Sequence, residues 1–173
     1  PELSRGLGDV YKRQTLELVK WGIVPSWAKQ KDFRPLINAR IETIDEKVSF
    51  KKLIKTTRCV AVMDGFYEWK RSKESKTPFY FTREDKKPLY VAGIFENNEF
   101  CLITEEASQN VMDIHHRQPV ILDNNEIDNY LDLKKDGKKY LNQIKKIPLN
   151  FYEISKEVNK PTNNYPSLIS KLN

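Results

Sequence analysis

Four runs of strand-like composition between residues 59 and 107 limit what this chain can fold into. They are CVAVMDGFYEWK, TPFYFTRE, PLYVAGIFE and FCLITEEA, and charged or Asn-rich turns separate them. Such β-branched and aromatic residues favour strands, and the short turns favour antiparallel pairing. TLELVKWGIV, residues 15–24, predicts a further strand, whereas helices are predicted only around 46–56 and in EIDNYLDL and KKYLNQIKKI. The sequence therefore predicts one α+β domain centred on an antiparallel sheet.

Composition narrows the class of protein without assigning a function. A chain of 173 residues with 39% hydrophobic residues can bury one core. The formal net charge of +6 is compatible with an anionic partner, but a basic soluble surface explains it equally well. Two cysteines are too few for a disulfide framework, and no apolar run approaches the length of a membrane span. We therefore expect a cytoplasmic protein without a metal site.

Glu68 is the unexpected residue in the strand-like stretch MDGFYEWK, residues 63–70. Because side chains alternate along a strand, Glu68 shares a face with Phe66, whereas Tyr67 and Trp69 share the other face. If the face of Phe66 is the interior, Glu68 is partly desolvated. Its pKa should then lie above that of a solvated glutamate.

Other polar side chains also lie among apolar residues. They are Asn38 and Arg40 in INAR, Thr104 in LIT, and His115 in IHHRQPV. Each has a simple structural explanation, such as a turn, a salt bridge or a satisfied core histidine. Because buried polar groups need partners, however, the amide, the acid and the imidazole together predict a shared pocket suited to proton transfer. The thiols of Cys59 and Cys101 lie in strand patterns and are predicted to be buried and inert.

Six motifs in order resemble those of the SOS response-associated peptidase (SRAP) family. They are WGIVPSWAK, INARIET, RCVAVMDGFYEWK, TPFYF, IHHRQPVIL and VNKPTNNYPSLI, and they extend from about residue 15 to the C-terminus. The resemblance implies a monomer with a twisted, mostly antiparallel sheet or half-barrel and short peripheral helices. It implies no cofactor.

The resemblance also implies a sensor of abasic sites in single-stranded DNA and at single-strand to double-strand junctions. In this family an N-terminal cysteine, exposed when autopeptidase activity removes the initiator methionine, attacks the aldehyde of the ring-opened sugar. Its amine and thiol close a thiazolidine, which gives a stable DNA–protein crosslink. The activity thus combines peptidase and lyase-like chemistry, and the protein would associate with the nucleoid when bound to DNA.

The family motifs assign roles to individual residues of this chain. Asn38 would hold the amine and the sugar, Glu68 would be the general acid and base, and His115 would be a second proton carrier. Arg40 would contact phosphate and Trp69 would stack near the lesion. The remaining residues implied to contact DNA are Pro25, Ser26 and Trp27 beside splayed bases and Thr104 on a backbone phosphate.

Two features depart from the family pattern. No Cys-Gly-Arg occurs in the sequence, and residues 1–14 lack periodicity, so we interpret 1–14 as a non-native leader and 15–173 as an SRAP domain without its N-terminal segment. We therefore expect the chain as printed to form no heat-stable adduct with abasic DNA, which denaturing gel electrophoresis would check. His116 follows His115 where the family has an acidic or polar residue, and the Ile-His-x-Arg pattern favours His115 as the working histidine.

Two other functions are compatible with the sequence. One is a non-covalent single-stranded DNA binding module that uses the basic surface with Trp27 and Trp69. The other is a cysteine hydrolase that pairs Cys59 or Cys101 with His115, against which the strand context argues.

Overall fold

The computed structural model describes residues 15–28 and 32–172, and the leader predicted over 1–14 lies outside these residues. The strands are β1 Lys20–Trp21, β2 Asn38–Arg40, β3 Arg58–Met63, β4 Phe66–Arg71, β5 Lys76–Arg83, β6 Leu89–Glu96, β7 Glu99–Glu106, β8 Arg117–Pro119, β9 Ile121–Leu122 and β10 Leu149–Glu153. The α-helices are α1 Leu53–Thr56, α2 Gln109–Met112, α3 Ile127–Leu131 and α4 Gly137–Leu141. Short 3-10 helices cover Ser26–Ala28, Ile41–Thr43, Asn124–Glu126, Lys156–Asn159 and Pro166–Ile169. No helix in the described ranges is long and apolar enough to cross a membrane.

The larger of two sheets contains seven strands and has mixed pairing. Its central order is β1-β7-β6-β3, with β2 and β8 also paired to β7 and β9 paired to β6. β1 and β2 run parallel to β7, and the other pairings are antiparallel. This sheet packs against the helices through a core that includes Tyr130 of α3, whose hydroxyl donates to the Gly93 carbonyl at 2.7 Å.

The smaller sheet is antiparallel, with the order β10-β5-β4. A second core lies between the two sheets, because it joins Phe81 of β5 to Leu89 and Val91 of β6 and to Leu102 of β7. Phe66, on β4, packs against this core, and its ring stacks on that of Phe81 with centroids 4.9 Å apart. The smaller sheet therefore carries FYEWK, the second part of MDGFYEWK, with the face of Phe66 toward the interior.

Gly65 allows the chain to pass from the larger sheet to the smaller one. A Cβ atom at this position would lie 2.5 Å from the Tyr80 hydroxyl and would also collide with the carbonyl oxygen of Phe81. Only a residue without a side chain fits so close to β5. The close approach places β4, and with it Glu68, directly beside β5.

The α+β architecture with extended sheets and short helices is confirmed, although several predicted elements differ in detail. The run CVAVMDGFYEWK supplies two strands, β3 and β4, and these lie in different sheets. The strand predicted over 15–24 is only the two residues of β1, and it pairs in parallel. The helix predicted around 46–56 is an α-helix only at α1, because turns occupy the residues before it.

Candidate functional site

Glu68 occupies the position on β4 that the alternation of side chains predicted. It pairs with Phe79 of β5, whereas Tyr67 pairs with Tyr80, and Trp69 lies on the face of Tyr67 with ring centroids 6.4 Å apart. Glu68 thus lies on the same face of β4 as the apolar side chain of Phe66. Burial raises the pKa of the Glu68 carboxyl, while the nearby His115 opposes that shift by favouring the charged carboxylate.

His115 brings the second titratable group to the same place. It follows α2 and precedes β8, and its Nδ1 lies 3.5 Å from Oε1 of Glu68 and 3.0 Å from the carbonyl oxygen of Arg117. When Nδ1 carries the proton, it donates to that carbonyl oxygen and Nε2 has the free lone pair; when it does not, Nδ1 accepts from the backbone N–H of Arg117 at 3.3 Å. The imidazole can therefore accept a proton at Nε2 while Nδ1 remains anchored to the backbone.

His116 does not lie beside Glu68. Its ring contacts that of His115 with centroids 4.6 Å apart, but the side chain is exposed and does not line the cleft beside Glu68. These positions agree with the choice of His115 from the motif.

An open cleft of about 350 Å³ surrounds the Glu68 and His115 pair. Its lining residues are Glu68, Trp69, Arg71, Lys76, His115 and Asn159. The indole Nε1 of Trp69 donates to Oδ1 of Asn159 at 2.7 Å, which connects β4 to the 3-10 helix Lys156–Asn159. The indole ring is thereby held at the wall of the cleft.

Asn38, Arg40 and Thr104 lie on the larger sheet. Asn38 and Arg40 project from β2, and Arg40 pairs with Thr104 of β7. The prediction that the amide is buried is wrong, because Asn38 is exposed on a strand that pairs only with β7. Among the described residues no hydrogen bond joins Asn38 to Glu68 or His115, so the structure brings together two of the three predicted catalytic groups.

The residues implied to contact DNA differ in exposure. Ser26 and Trp27 are exposed in a 3-10 helix, where the Trp27 ring meets Phe33 edge to face at 5.5 Å. Pro25 is buried, and its carbonyl oxygen accepts from the backbone N–H of Ala28. Of this loop, Ser26 and Trp27 are accessible to a ligand.

Arg117 forms a polar network that sequence reasoning missed. Its guanidinium makes two bonds to the Glu42 carboxylate, at 2.7 and 2.9 Å, and Nη2 also donates to the carbonyl and hydroxyl oxygens of Thr104. The hydroxyl of Thr104 is thus already engaged by Arg117. Since the backbone of Arg117 also holds His115, this network fixes the start of β8 against β7. The motif IHHRQPV contained the signal, because Arg117 lies two residues after His115.

Cys59 and Cys101 are not part of the cleft. Cys101 is fully buried, and burial raises the pKa of each thiol to about 12. Both therefore remain protonated at neutral pH, as their strand pattern predicted, and neither is an activated nucleophile.

Comparisons with known proteins agree with this fold. A family model described as SOS response associated peptidase (SRAP) matches residues 7–161. The abasic site processing protein YoqW of Bacillus subtilis (strain 168) is 34% identical over 166 residues, which cover 87% of this chain and 74% of YoqW. The abasic site processing protein HMCES of Gallus gallus is 33% identical over 189 residues, covering 87% of this chain and 56% of HMCES.

A solved structure has the same fold. The crystal structure of a protein from Bacteroides thetaiotaomicron superposes with a TM-score of 0.75 and 25% sequence identity, covering 88% of this chain and 75% of that one. The match of the family model over most of the chain, together with these relatives, shows that this protein belongs to the SOS response associated peptidase family.

Proposed function

We propose that this protein processes abasic sites in single-stranded DNA, with Glu68 and His115 as its proton carriers. The observation that carries the proposal is the 3.5 Å approach of His115 Nδ1 to Glu68 Oε1 in an open cleft. A carboxyl whose pKa is raised by burial, placed beside an imidazole, can both give and take a proton. The names of the relatives, which are abasic site processing proteins, support DNA with abasic sites as the substrate.

The chemistry of an abasic site explains why two proton carriers are needed. The sugar is mostly a closed hemiacetal, and opening it moves a proton from the C1 hydroxyl to the ring oxygen. An amine then adds to the aldehyde carbon, and loss of water gives an imine. A thiol on the same molecule adds to the imine carbon and its proton passes to the nitrogen, so aldehyde and aminothiol yield a thiazolidine and one water.

Each step requires a proton to be delivered or removed at a defined position. Protonated Glu68 can donate to the ring oxygen during opening and to the departing hydroxyl during imine formation. Glu68 then accepts a proton again as the carboxylate, and the adjacent imidazolium of His115 stabilises that form. In the SRAP family an N-terminal cysteine supplies both amine and thiol, and we propose that this site promotes the same chemistry when an aminothiol is supplied.

Free cysteine tests the proton transfer independently of the protein's own nucleophile. An oligonucleotide with a single abasic site is incubated with L-cysteine, with and without the protein, and mass spectrometry follows thiazolidine formation. We expect the protein to accelerate the reaction on the order of a hundredfold, because one positioned general acid or base contributes roughly 10²–10⁴-fold. Glu46→Gln, at an exposed glutamate outside the cleft, serves as the control and should retain the acceleration.

The thiazolidine assay, together with a binding measurement, distinguishes the second candidate function from the first. The exposed rings of Trp27 and Trp21 favour a module that only binds single-stranded DNA through stacking and charge. That function predicts equal binding of abasic and intact strands and the same thiazolidine rate with and without protein. This pair of results would contradict the proposed abasic-site function.

A further inference from the structure

Two cations face each other at the open end of the β4–β5 hairpin. Arg71 is the last residue of β4 and Lys76 is the first of β5, and the two are direct cross-strand partners. Both side chains line the cleft that contains Glu68 and His115. Both residues are exposed.

The pairing is unfavourable for the fold by itself. Like charges directly opposite each other on an antiparallel pair destabilise it, typically by about 0.2–1 kcal/mol. Within the ranges 15–28 and 32–172, neither Arg71 nor Lys76 forms an ion pair with a carboxylate that would offset this repulsion. The nearest acidic influence is Glu68, whose carboxylate Arg71 favours through its charge. Two unneutralised cations on one cleft wall create a site for an anion.

The positions of Arg71 and Glu68 on β4 set the distance between this anion site and the proton carriers. Arg71 lies three residues beyond Glu68 on β4, about 10 Å away at the rise of a strand. Arg71 leaves the strand on the face of Trp69 and Glu68 leaves it on the other face, but β4 is the edge strand of its sheet and both side chains line the same cleft. Trp69 lies between them on the wall, with its indole held by Asn159. A nucleic acid strand that places one sugar at Glu68 therefore brings a neighbouring phosphate, one or two nucleotides away, to the hairpin end.

We propose that Arg71 and Lys76 together bind a phosphodiester of the DNA strand next to the nucleotide at Glu68. The assignment rests on the proposed function for its orientation, because the abasic sugar defines which phosphate is near. The two cations position the strand, and they take no part in proton transfer. The charge repulsion that costs stability in the free protein is relieved when the phosphate binds.

The test compares the salt dependence of binding for two double variants. Arg71→Gln/Lys76→Gln removes the proposed contact, and Lys134→Gln/Lys139→Gln removes the same charge from exposed positions around α4, which packs on the larger sheet. Binding of a fluorescent single-stranded oligonucleotide, intact or with one abasic site, is measured between 50 and 200 mM salt. Each phosphate contact to a single strand contributes about 0.7 to the slope of log K against log salt.

Because the two cations share one phosphate, Arg71→Gln/Lys76→Gln is expected to reduce the magnitude of that slope by about 0.7 and to weaken binding about 5-fold at 0.1 M salt. The Lys134→Gln/Lys139→Gln control should keep the wild-type slope. Thermal unfolding should show that Arg71→Gln/Lys76→Gln is at least as stable as the wild type, because repulsion has been removed.

Two results would overturn the proposal: an unchanged slope in Arg71→Gln/Lys76→Gln, or an equal loss in the control pair. A different result would show that the proposed abasic-site function is wrong. If the wild type binds abasic and intact strands alike and does not accelerate thiazolidine formation, while only Arg71→Gln/Lys76→Gln loses slope, the phosphate site stands and the abasic-site function fails.

Discussion

Replacing Glu68 by glutamine is expected to lower the protein-assisted rate of thiazolidine formation at an abasic site by roughly a hundredfold, to the rate without protein. Glutamine has nearly the same shape and keeps an acceptor oxygen, but it can neither donate an acidic proton nor become a carboxylate. No other acid in the cleft can take over this role, because Glu68 is the only carboxyl among the described residues that line the cleft. Mass spectrometry of the reaction with free cysteine measures the loss directly.

The stability of Glu68→Gln provides the control for this variant. Because the pKa of Glu68 is raised in the folded protein, the folded state holds the proton more tightly than the unfolded state. The resulting stabilisation is present below the unfolded pKa and is lost as pH rises through the folded pKa. Above the folded pKa the charged carboxylate therefore opposes folding, and in that range Glu68→Gln should unfold at the same or a higher temperature. A variant that keeps full activity would contradict the role of Glu68.

Replacing Phe81 by alanine is expected to reduce the free energy of unfolding by about 3–5 kcal/mol. Phe81 is fully buried between the sheets, and its ring lies 4.9 Å from that of Phe66 and 5.0 Å from that of Phe151. Truncation leaves a cavity bordered by all three strands of the smaller sheet, since the partners are on β4 and β10. Denaturant unfolding followed by tryptophan fluorescence measures the change.

A matched substitution on the larger sheet separates cavity formation from loss of strand propensity. Val62 of β3 is 54% exposed, so Val62→Ala should cost less than about 1 kcal/mol. If Phe81→Ala cost no more than Val62→Ala, the smaller sheet would not depend on its aromatic core. The account of how Glu68 is held beside that core would then be wrong.

The alternation of side chains predicted the most important feature of the site. Phe66 and Glu68 share a face because consecutive residues of any strand point to opposite sides, and this local rule does not depend on the rest of the fold. The inert cysteines followed from the same rule. His115 was found through its apolar neighbours and its motif, and the structure places it against Glu68.

Long-range pairing explains what the sequence could not predict. The break between β3 and β4 depends on Gly65 packing against β5, a contact between residues far apart in the chain. The exposure of Asn38 depends on its strand lying at the edge of a parallel pair with β7. Asn159 and Lys76 reach the cleft from two further segments, and neither lies in a local pattern that distinguishes it from a surface residue.

The proton-carrier pair can be examined most directly by NMR titration of the Glu68 carboxyl carbon in the wild type and in His115→Gln. The structure predicts that Glu68 titrates above the range of a solvent-exposed glutamate, because burial disfavours its charge. It also predicts that His115→Gln raises the pKa further, because the imidazolium that favours the carboxylate is lost. A Glu68 that titrates like an exposed glutamate and does not respond to His115→Gln would contradict the central claim that these two groups share one partly desolvated cleft.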